Sequence, residues 1–183
     1  NQAAGVDASV NLYQNINVNM YYARTATDTL KGESASYQGR FEYGGDRYGA
    51  RAEYLVVGDD FNPEVGFVRR DNFARSFGAL RFSPRPRGRG RVRKYTYEGS
   101  VEYLENRAGV LETRNQTGRF NVELQNSDQF TATVSRQYEW LARPFAISRG
   151  VTLPAGGYPF GDVFVSYLLG QQRRVSGQLS YQA

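Results

Sequence analysis

The sequence predicts an all-β protein: an antiparallel up-and-down meander that forms a transmembrane β-barrel or a segment of one. Hydrophobicity alternates with a period of two almost throughout the chain, which is typical of pleated strands. Several alternating stretches span ten or more residues, whereas soluble strands average about 5–6. The apolar set is rich in Tyr (14) and Phe (11), which favour strands, and no apolar run approaches the ~20 residues of a membrane-spanning helix.

Nine strands are predicted in sequence, with no helical stretch between them. They cover residues 8–24, 35–43, 48–56, 73–82, 94–103, 117–125, 130–140, 163–167 and 175–181. Short turns rich in Gly, Asn and Asp separate several of them, as at residues 44–47 and 126–129. Two longer irregular stretches, 58–71 and 143–160, contain apolar residues and are expected to be ordered. The whole of 1–183 is predicted to be one barrel domain or barrel segment, cut from a longer polypeptide or processed at Asn1.

The alternation assigns side chains to two faces. One set is predicted to face lipid or an apolar partner: Tyr37, Phe41, Tyr54, Tyr97, Val101, Phe120, Val122, Val134 and Leu179. Charged neighbours such as Arg40, Glu53, Glu102 and Glu123 are predicted to share the opposite face. A soluble antiparallel sheet also alternates, but long strands, a charged face and tyrosines near strand ends favour the membrane barrel.

The composition argues against catalysis. The chain has neither Cys nor His, which removes thiol nucleophiles, imidazole bases and the usual ligands of transition metals. Pairs of glutamates such as Glu98 and Glu102 could serve glycoside hydrolysis in principle, but charges on one face of every strand produce such pairs by chance. We therefore predict no enzyme, no catalytic residues, no cofactor and no metal.

A predicted structural loop carries the string GDDFNPEVGFVRRD, residues 58–71. Its acidic oxygens could hold Ca²⁺, but they lack regular EF-hand spacing. The preferred interpretation is an ordered loop whose carboxylates pair with its arginines, with Glu64 near an arginine and a sharp bend set by Pro63 and Gly66. The residues of this loop are Asp59, Asp60, Asn62, Pro63, Glu64, Gly66, Arg69 and Arg70.

A basic segment follows at residues 84–94, with arginine at every second position. It holds Arg85, Arg87, Arg89, Arg91, Arg93 and Lys94. Such a run is either a solvated turn at a barrel rim or a site for polyanions, among which lipid phosphate, including that of lipopolysaccharide, is favoured. Nucleic acid is disfavoured because no aromatic residues are interleaved until Tyr95 and Tyr97.

Several blocks occur in an order typical of one protein family. They are FNPEVGFVRR at 61–70, PRP at 84–86, the spaced residues Pro144, Phe145, Ile147, Gly150, Val151, Leu153, Pro154, Gly156 and Tyr158, and the opening GVDASV. In these blocks the chain resembles the outer-membrane β-barrel domain of unknown function that follows a carbohydrate-binding-family-9-like module in many Gram-negative bacterial proteins. The resemblance implies location in the bacterial outer membrane and contact with its lipid. It also implies a structural role as anchor or pore, an N-terminal carbohydrate-binding-like module or larger envelope complex as partner, and a family barrel that continues past Ala183.

The competing hypothesis is a soluble β-sandwich that binds carbohydrate through exposed tyrosines. It accounts for alternation equally well but not for the strand lengths.

Overall fold

Residues 2–27, 32–63, 70–88 and 90–183 are described by the computed structural model. Twelve β-strands account for the regular structure of these residues. They are β1 (Gln2–Leu12), β2 (Ile16–Ala26), β3 (Ala35–Gly44), β4 (Tyr48–Val57), β5 (Phe73–Phe82), β6 (Val92–Asn106), β7 (Leu111–Leu124), β8 (Gln129–Leu141), β9 (Phe145–Ser148), β10 (Val151–Leu153), β11 (Gly156–Leu169) and β12 (Gly177–Gln182). No helix in this part of the chain is long and apolar enough to cross a bilayer.

Ten of these strands form a single antiparallel sheet in the order β1-β2-β3-β4-β5-β6-β7-β8-β11-β12. β9 and β10 form a separate two-stranded ribbon inside the connection between β8 and β11. The predicted all-β meander is therefore confirmed. The described residues make one large sheet, not the two stacked sheets of a sandwich, and no pairing joins its outermost strands β1 and β12.

The large sheet has ten strands instead of the nine predicted because the first predicted strand is a hairpin. Tyr13 to Asn15 form its turn, with Tyr13 at a φ of 51°. Leu12 pairs directly with Ile16, so the side chains before and after the turn lie on the same face. The alternation thus runs through the turn without a change of phase, and a pattern of period two cannot reveal it.

Smaller corrections concern the C-terminal third. The stretch 143–160 is partly regular, because it contains the β9–β10 ribbon and the first residues of β11. Val175 lies in the turn before β12 and not in the strand.

The connections at the two ends of the sheet differ in length. At one end, which we call the turn rim, the strands are joined by residues 13–15, 45–47, 83–91, 125–128 and 170–176. At the other, the loop rim, they are joined by residues 27–34, 58–72, 107–110 and 142–155. Long connections therefore gather at the loop rim.

The described residues contain almost no apolar core. Their buried hydrophobic residues are Val56, Val57 and Phe73. The accessible surface is 13041 Å², whereas a compact monomer of 20.6 kDa is expected to expose about 8,900 Å². The excess arises because both broad faces of the sheet are open.

Candidate functional site

Pairing register assigns every sheet residue to one of two faces. Tyr37 pairs with Val56, Phe41 with Ala52, and Tyr97 with Phe120. Followed across the sheet, these pairs place the whole predicted apolar set on one surface, here called the apolar face, from Tyr37 to Leu179. The predicted charged set lies on the opposite, polar face, where Arg40 pairs with Glu53. The two-face prediction is confirmed, while the partner of the apolar face stays a prediction.

The apolar face is the more exposed of the two. Leu80 is 70% exposed and Val134 is 50% exposed. On the polar face, the side chains of Glu53 and Glu102 are only 11% and 22% exposed. This is the reverse of the burial in a water-soluble sheet, where the apolar side is covered.

Aromatic side chains on the apolar face are concentrated towards its two ends. The first group, the turn belt, comprises Tyr48, Phe82, Tyr95, Tyr97, Phe120 and Phe130. Its rings follow one another across five strands, with centroids 5.3 Å apart for Tyr48–Phe82 and 5.0 Å for Tyr97–Phe120. The second group, the loop belt, comprises Tyr22, Tyr37, Tyr54, Tyr103 and Tyr138, with 6.4 Å between the rings of Tyr37 and Tyr54.

Three of the polar residues on the apolar face lie together near the loop belt. Gln116 pairs with Arg136, which in turn pairs with Gly161. Arg114 lies one position nearer the loop rim on the same face, with its guanidinium carbon 5.7 Å from the centre of the Tyr138 ring. All three lie on the loop-rim side of Val134 and Gly118, so long arginine side chains there can extend towards the loop rim.

Ion pairs connect strands on the polar face. Arg75 donates to Glu53 Oε1 over 2.6 Å and to Glu102 Oε2 over 2.7 Å, which links β4, β5 and β6. Glu42 accepts from Arg40 over 2.9 Å and from Arg51 over 3.4 Å. Because each carboxylate here has an arginine donor, the charges compensate locally.

An open concavity of about 470 Å³ lies beside this network. It is lined in part by Arg51, Arg81, Glu98 and Arg119. Among the described residues, no three acidic side chains converge in a way that could hold a metal ion.

The predicted structural loop contributes to a network of hydrogen bonds at the loop rim. Asp59 accepts from the backbone N–H of Glu33 over 2.7 Å, and Asp60 accepts from that of Gly32. The backbone N–H of Asn62 donates to the hydroxyl of Thr25, which is 2% exposed, over 3.1 Å. These contacts tie residues 58–63 to the end of β2 and to the residues that precede β3.

Arg70 has a partner outside the loop. It contacts the carboxylate of Glu112 at the start of β7, and Glu112 also accepts from the side-chain amide of Asn106 over 3.2 Å. A second bridge at the same rim joins Arg107 to Glu33. Residues 64–69, which follow Pro63, lie outside the described residues. They include Glu64, Gly66 and Arg69, so the expected pairing of Glu64 and the bend at Gly66 stay predictions.

The basic segment lies at the turn rim, in the position that the sequence predicts. Arg85, Arg87 and Arg91 belong to the connection between β5 and β6, while Arg93 and Lys94 begin β6; Arg89 lies outside the described residues. The connection is held near both ends by backbone hydrogen bonds. The N–H of Tyr95 donates to the Pro84 carbonyl over 3.0 Å, and the N–H of Gln125 donates to the Arg91 carbonyl over 2.8 Å. Arg85 pairs with Asp46.

A buried carboxylate at the turn rim was not predicted. Asp128, fully buried, accepts from the Gly170 backbone over 2.8 Å, from Tyr167 over 2.9 Å and from Arg173 Nε over 3.1 Å. The Gly170 hydrogen bond, then those of the Tyr167, Arg173 and Asn126 side chains, outweigh burial and lower the pKa of Asp128 to about 2. Through its hydrogen bonds to Gly170 and Arg173, Asp128 connects the β7–β8 turn to the β11–β12 turn. The only sequence signal was an Asn-Ser-Asp turn, which is too common to single out.

Comparison of the chain with protein-family models, with curated proteins and with solved structures finds no match.

Proposed function

We propose that this sheet is the wall, or part of the wall, of a transmembrane β-barrel of the bacterial outer-membrane type, with a structural role as membrane anchor or pore. The observation that carries the proposal is the reversed burial: aromatic and aliphatic side chains are exposed on one face, while the paired charges of Arg75, Glu53 and Glu102 are partly buried on the other. A membrane barrel requires this layout, because its outer surface meets hydrocarbon and its inner surface lines a polar lumen.

Three further features support the proposal. β6, β7, β8 and β11 contain 15, 14, 13 and 14 residues, more than the ~9–11 that a tilted strand needs to cross a bilayer. The two aromatic belts lie six to eight residues apart along β6 and β8, or about 20–27 Å along the strand, which corresponds to about 14–22 Å along the membrane normal at a tilt of ~35–45°. Aromatic girdles of outer-membrane barrels flank an apolar band ~25 Å tall, which is slightly larger. Short turns at one rim and long loops at the other are also typical of these barrels.

The polar face supports a passive role. Arg40, Arg51 and Arg75 are paired there with Glu42, Glu53 and Glu102, so the part of a lumen that they line would present little net field to a passing ion. An anchor that holds an N-terminal carbohydrate-binding-like module or an envelope complex at the membrane needs no more than this. Enzymatic activity is not part of the proposal.

Insertion into a bilayer tests the proposal directly. The protein is refolded from denaturant into vesicles or detergent micelles and, separately, into buffer alone. A membrane barrel is expected to give strand-rich circular dichroism and protease-resistant strands only in lipid or detergent. A monodisperse, folded monomer in plain buffer contradicts the proposal and favours a soluble β-sheet protein.

A further inference from the structure

The connections at the two rims differ in charge as well as in length. Between the strands of the turn rim, the described residues include six arginines, Arg47, Arg85, Arg87, Arg91, Arg173 and Arg174, but only two acids, Asp46 and Asp128. The described connections of the loop rim hold four of each: Arg70, Arg107, Arg143 and Arg149 against Glu33, Asp59, Asp60 and Asp71. The positive charge is therefore concentrated at one end of the sheet.

Neither acid of the turn rim is available to the remaining arginines. Asp46 is paired with Arg85, and Asp128 is saturated by Arg173 and its other donors. Within the described residues Arg87 and Arg91 have no carboxylate partner, and both are exposed. The connection that carries them is anchored near its two ends, because the backbone N–H of Tyr95 donates to the Pro84 carbonyl and that of Gln125 to the Arg91 carbonyl.

The turn belt lies directly below these arginines on the apolar face. Phe82 ends β5 immediately before the basic connection, and Tyr95 and Tyr97 follow soon after it. Aromatic rings at the level of the headgroups with arginines just beyond them are arranged to meet a lipid phosphate layer. Guanidinium groups suit phosphate because they bind it with two parallel hydrogen bonds.

We infer that the turn rim binds the phosphates of the phospholipid leaflet, and that it therefore faces the periplasm. This inference rests on the proposed membrane barrel and adds its orientation and a headgroup preference. Short turns lie on the periplasmic side of outer-membrane barrels, which agrees with the assignment. Lipopolysaccharide, the anionic lipid of the opposite leaflet, is the competing occupant.

The experiment places a tryptophan reporter at each belt. The single natural tryptophan, Trp140, lies on the apolar face near the loop belt. A second protein, Tyr97→Trp in a Trp140→Phe background, moves the reporter to the turn belt. Each is reconstituted in vesicles that mix brominated phosphatidylcholine with phosphatidylglycerol, and bromine quenching gives the relative affinity for the two lipids at that rim. Vesicle leaflets are identical, so protein orientation does not affect the result.

At low salt we expect a preference for phosphatidylglycerol of about three- to ten-fold at the turn-belt reporter and none at Trp140. About 0.5 M salt should abolish it, because the Debye length is then only a few ångströms. Arg87→Ser with Arg91→Ser should remove most of the preference, and the lysine pair should restore it only in part. Arg143→Ser with Arg149→Ser, which removes the same charge from the loop rim, should leave it unchanged.

The outcomes separate the inference from the function on which it rests. If neither reporter is quenched in vesicles of brominated phosphatidylcholine alone, the protein is not in the bilayer and the proposed function fails. If both are quenched without lipid preference, or the preference appears at Trp140, only the inference is overturned. Displacement of phosphatidylglycerol from the turn belt by lipopolysaccharide at equal phosphate would overturn the assignment to the phospholipid leaflet.

Discussion

Replacing Val134 by arginine tests what covers the apolar face. Val134 lies on β8, four residues from Phe130 in the turn belt and four from Tyr138 in the loop belt, so it occupies the middle of the proposed hydrocarbon band. An arginine at the midplane of an outer-membrane barrel costs ~2–4 kcal/mol, a factor of roughly 30 to 1,000 in the folding equilibrium. Valine is only half exposed here, and losing that contact with lipid accounts for less than ~1 kcal/mol. Most of the expected cost therefore comes from the guanidinium itself.

Ser135→Arg is the matched control. Ser135 is the next residue, on the polar face, where its cross-strand neighbour is Asp162. The new arginine can pair with that carboxylate, so we expect a change of less than ~1 kcal/mol. Both variants are measured by reversible unfolding in urea from detergent or vesicles. Equal effects of the two arginines, or a cost below ~0.5 kcal/mol for Val134→Arg, would refute the assignment of the apolar face to lipid.

Three other variants probe contacts on the polar face and at the two rims. Arg75→Gln leaves two half-buried glutamates without their shared cation and should cost ~1–3 kcal/mol in urea unfolding, with much of the loss recovered when Glu53 is also changed to Gln. Asp128→Asn should lower the unfolding midpoint more than Asp46→Asn does, because Asp128 is fully buried and joins two turns whereas the Asp46 side chain is 71% exposed. The pKa of Asp128 is lowered to about 2 in the folded protein. Its contribution to the free energy of unfolding should therefore be complete above pH ~4, the pKa of an aspartate in the unfolded chain, and disappear as the pH falls through about 2. A difference in unfolding free energy between wild type and Asp128→Asn that grows on acidification would contradict this sign. Thr25→Val should cost ~1 kcal/mol and speed proteolytic cleavage in residues 58–63, whose anchor it removes; unchanged cleavage would show that the other contacts of the loop suffice.

The sequence predicts the faces of this sheet better than its turns. Alternation placed Phe41 and Val134 on one face and Arg40 and Glu53 on the other, because the period of a strand depends only on the pleat. The alternation continues with the same phase on both sides of the hairpin turn at Tyr13, and for that reason the turn itself was not predicted. A turn that has no glycine or proline and preserves the phase carries only a weak local signal, here the single Asn15.

Contacts at the rims depend on strand neighbours and escape prediction from sequence. Asp128 meets Arg173 only because β8 pairs with β11, across the inserted β9–β10 ribbon. Likewise, Arg70 contacts Glu112 on β7, a partner outside its own loop that the sequence did not indicate. The location of the basic segment at a rim was predictable, since Pro84 and Pro86 exclude it from a central strand. The balance of charge among the described residues of the loop rim depends on which strand ends lie together, and a local pattern does not contain that information.

The order of strands in the sheet has a consequence for folding and assembly. With one exception, each pairing joins consecutive strands, so the meander can grow one hairpin at a time with small loop-closure entropy. The exception, β8 with β11, spans only the β9–β10 ribbon. Pairing β1 with β12 would instead join the two edges of the sheet, which are its most distant parts. The meander of the large sheet has an even number of strands, so β1 and β12 run in opposite directions and could form an antiparallel pair. Such a seam would form last and at the greatest entropic cost, which makes these two edges the place where an incoming strand of another polypeptide could compete with closure.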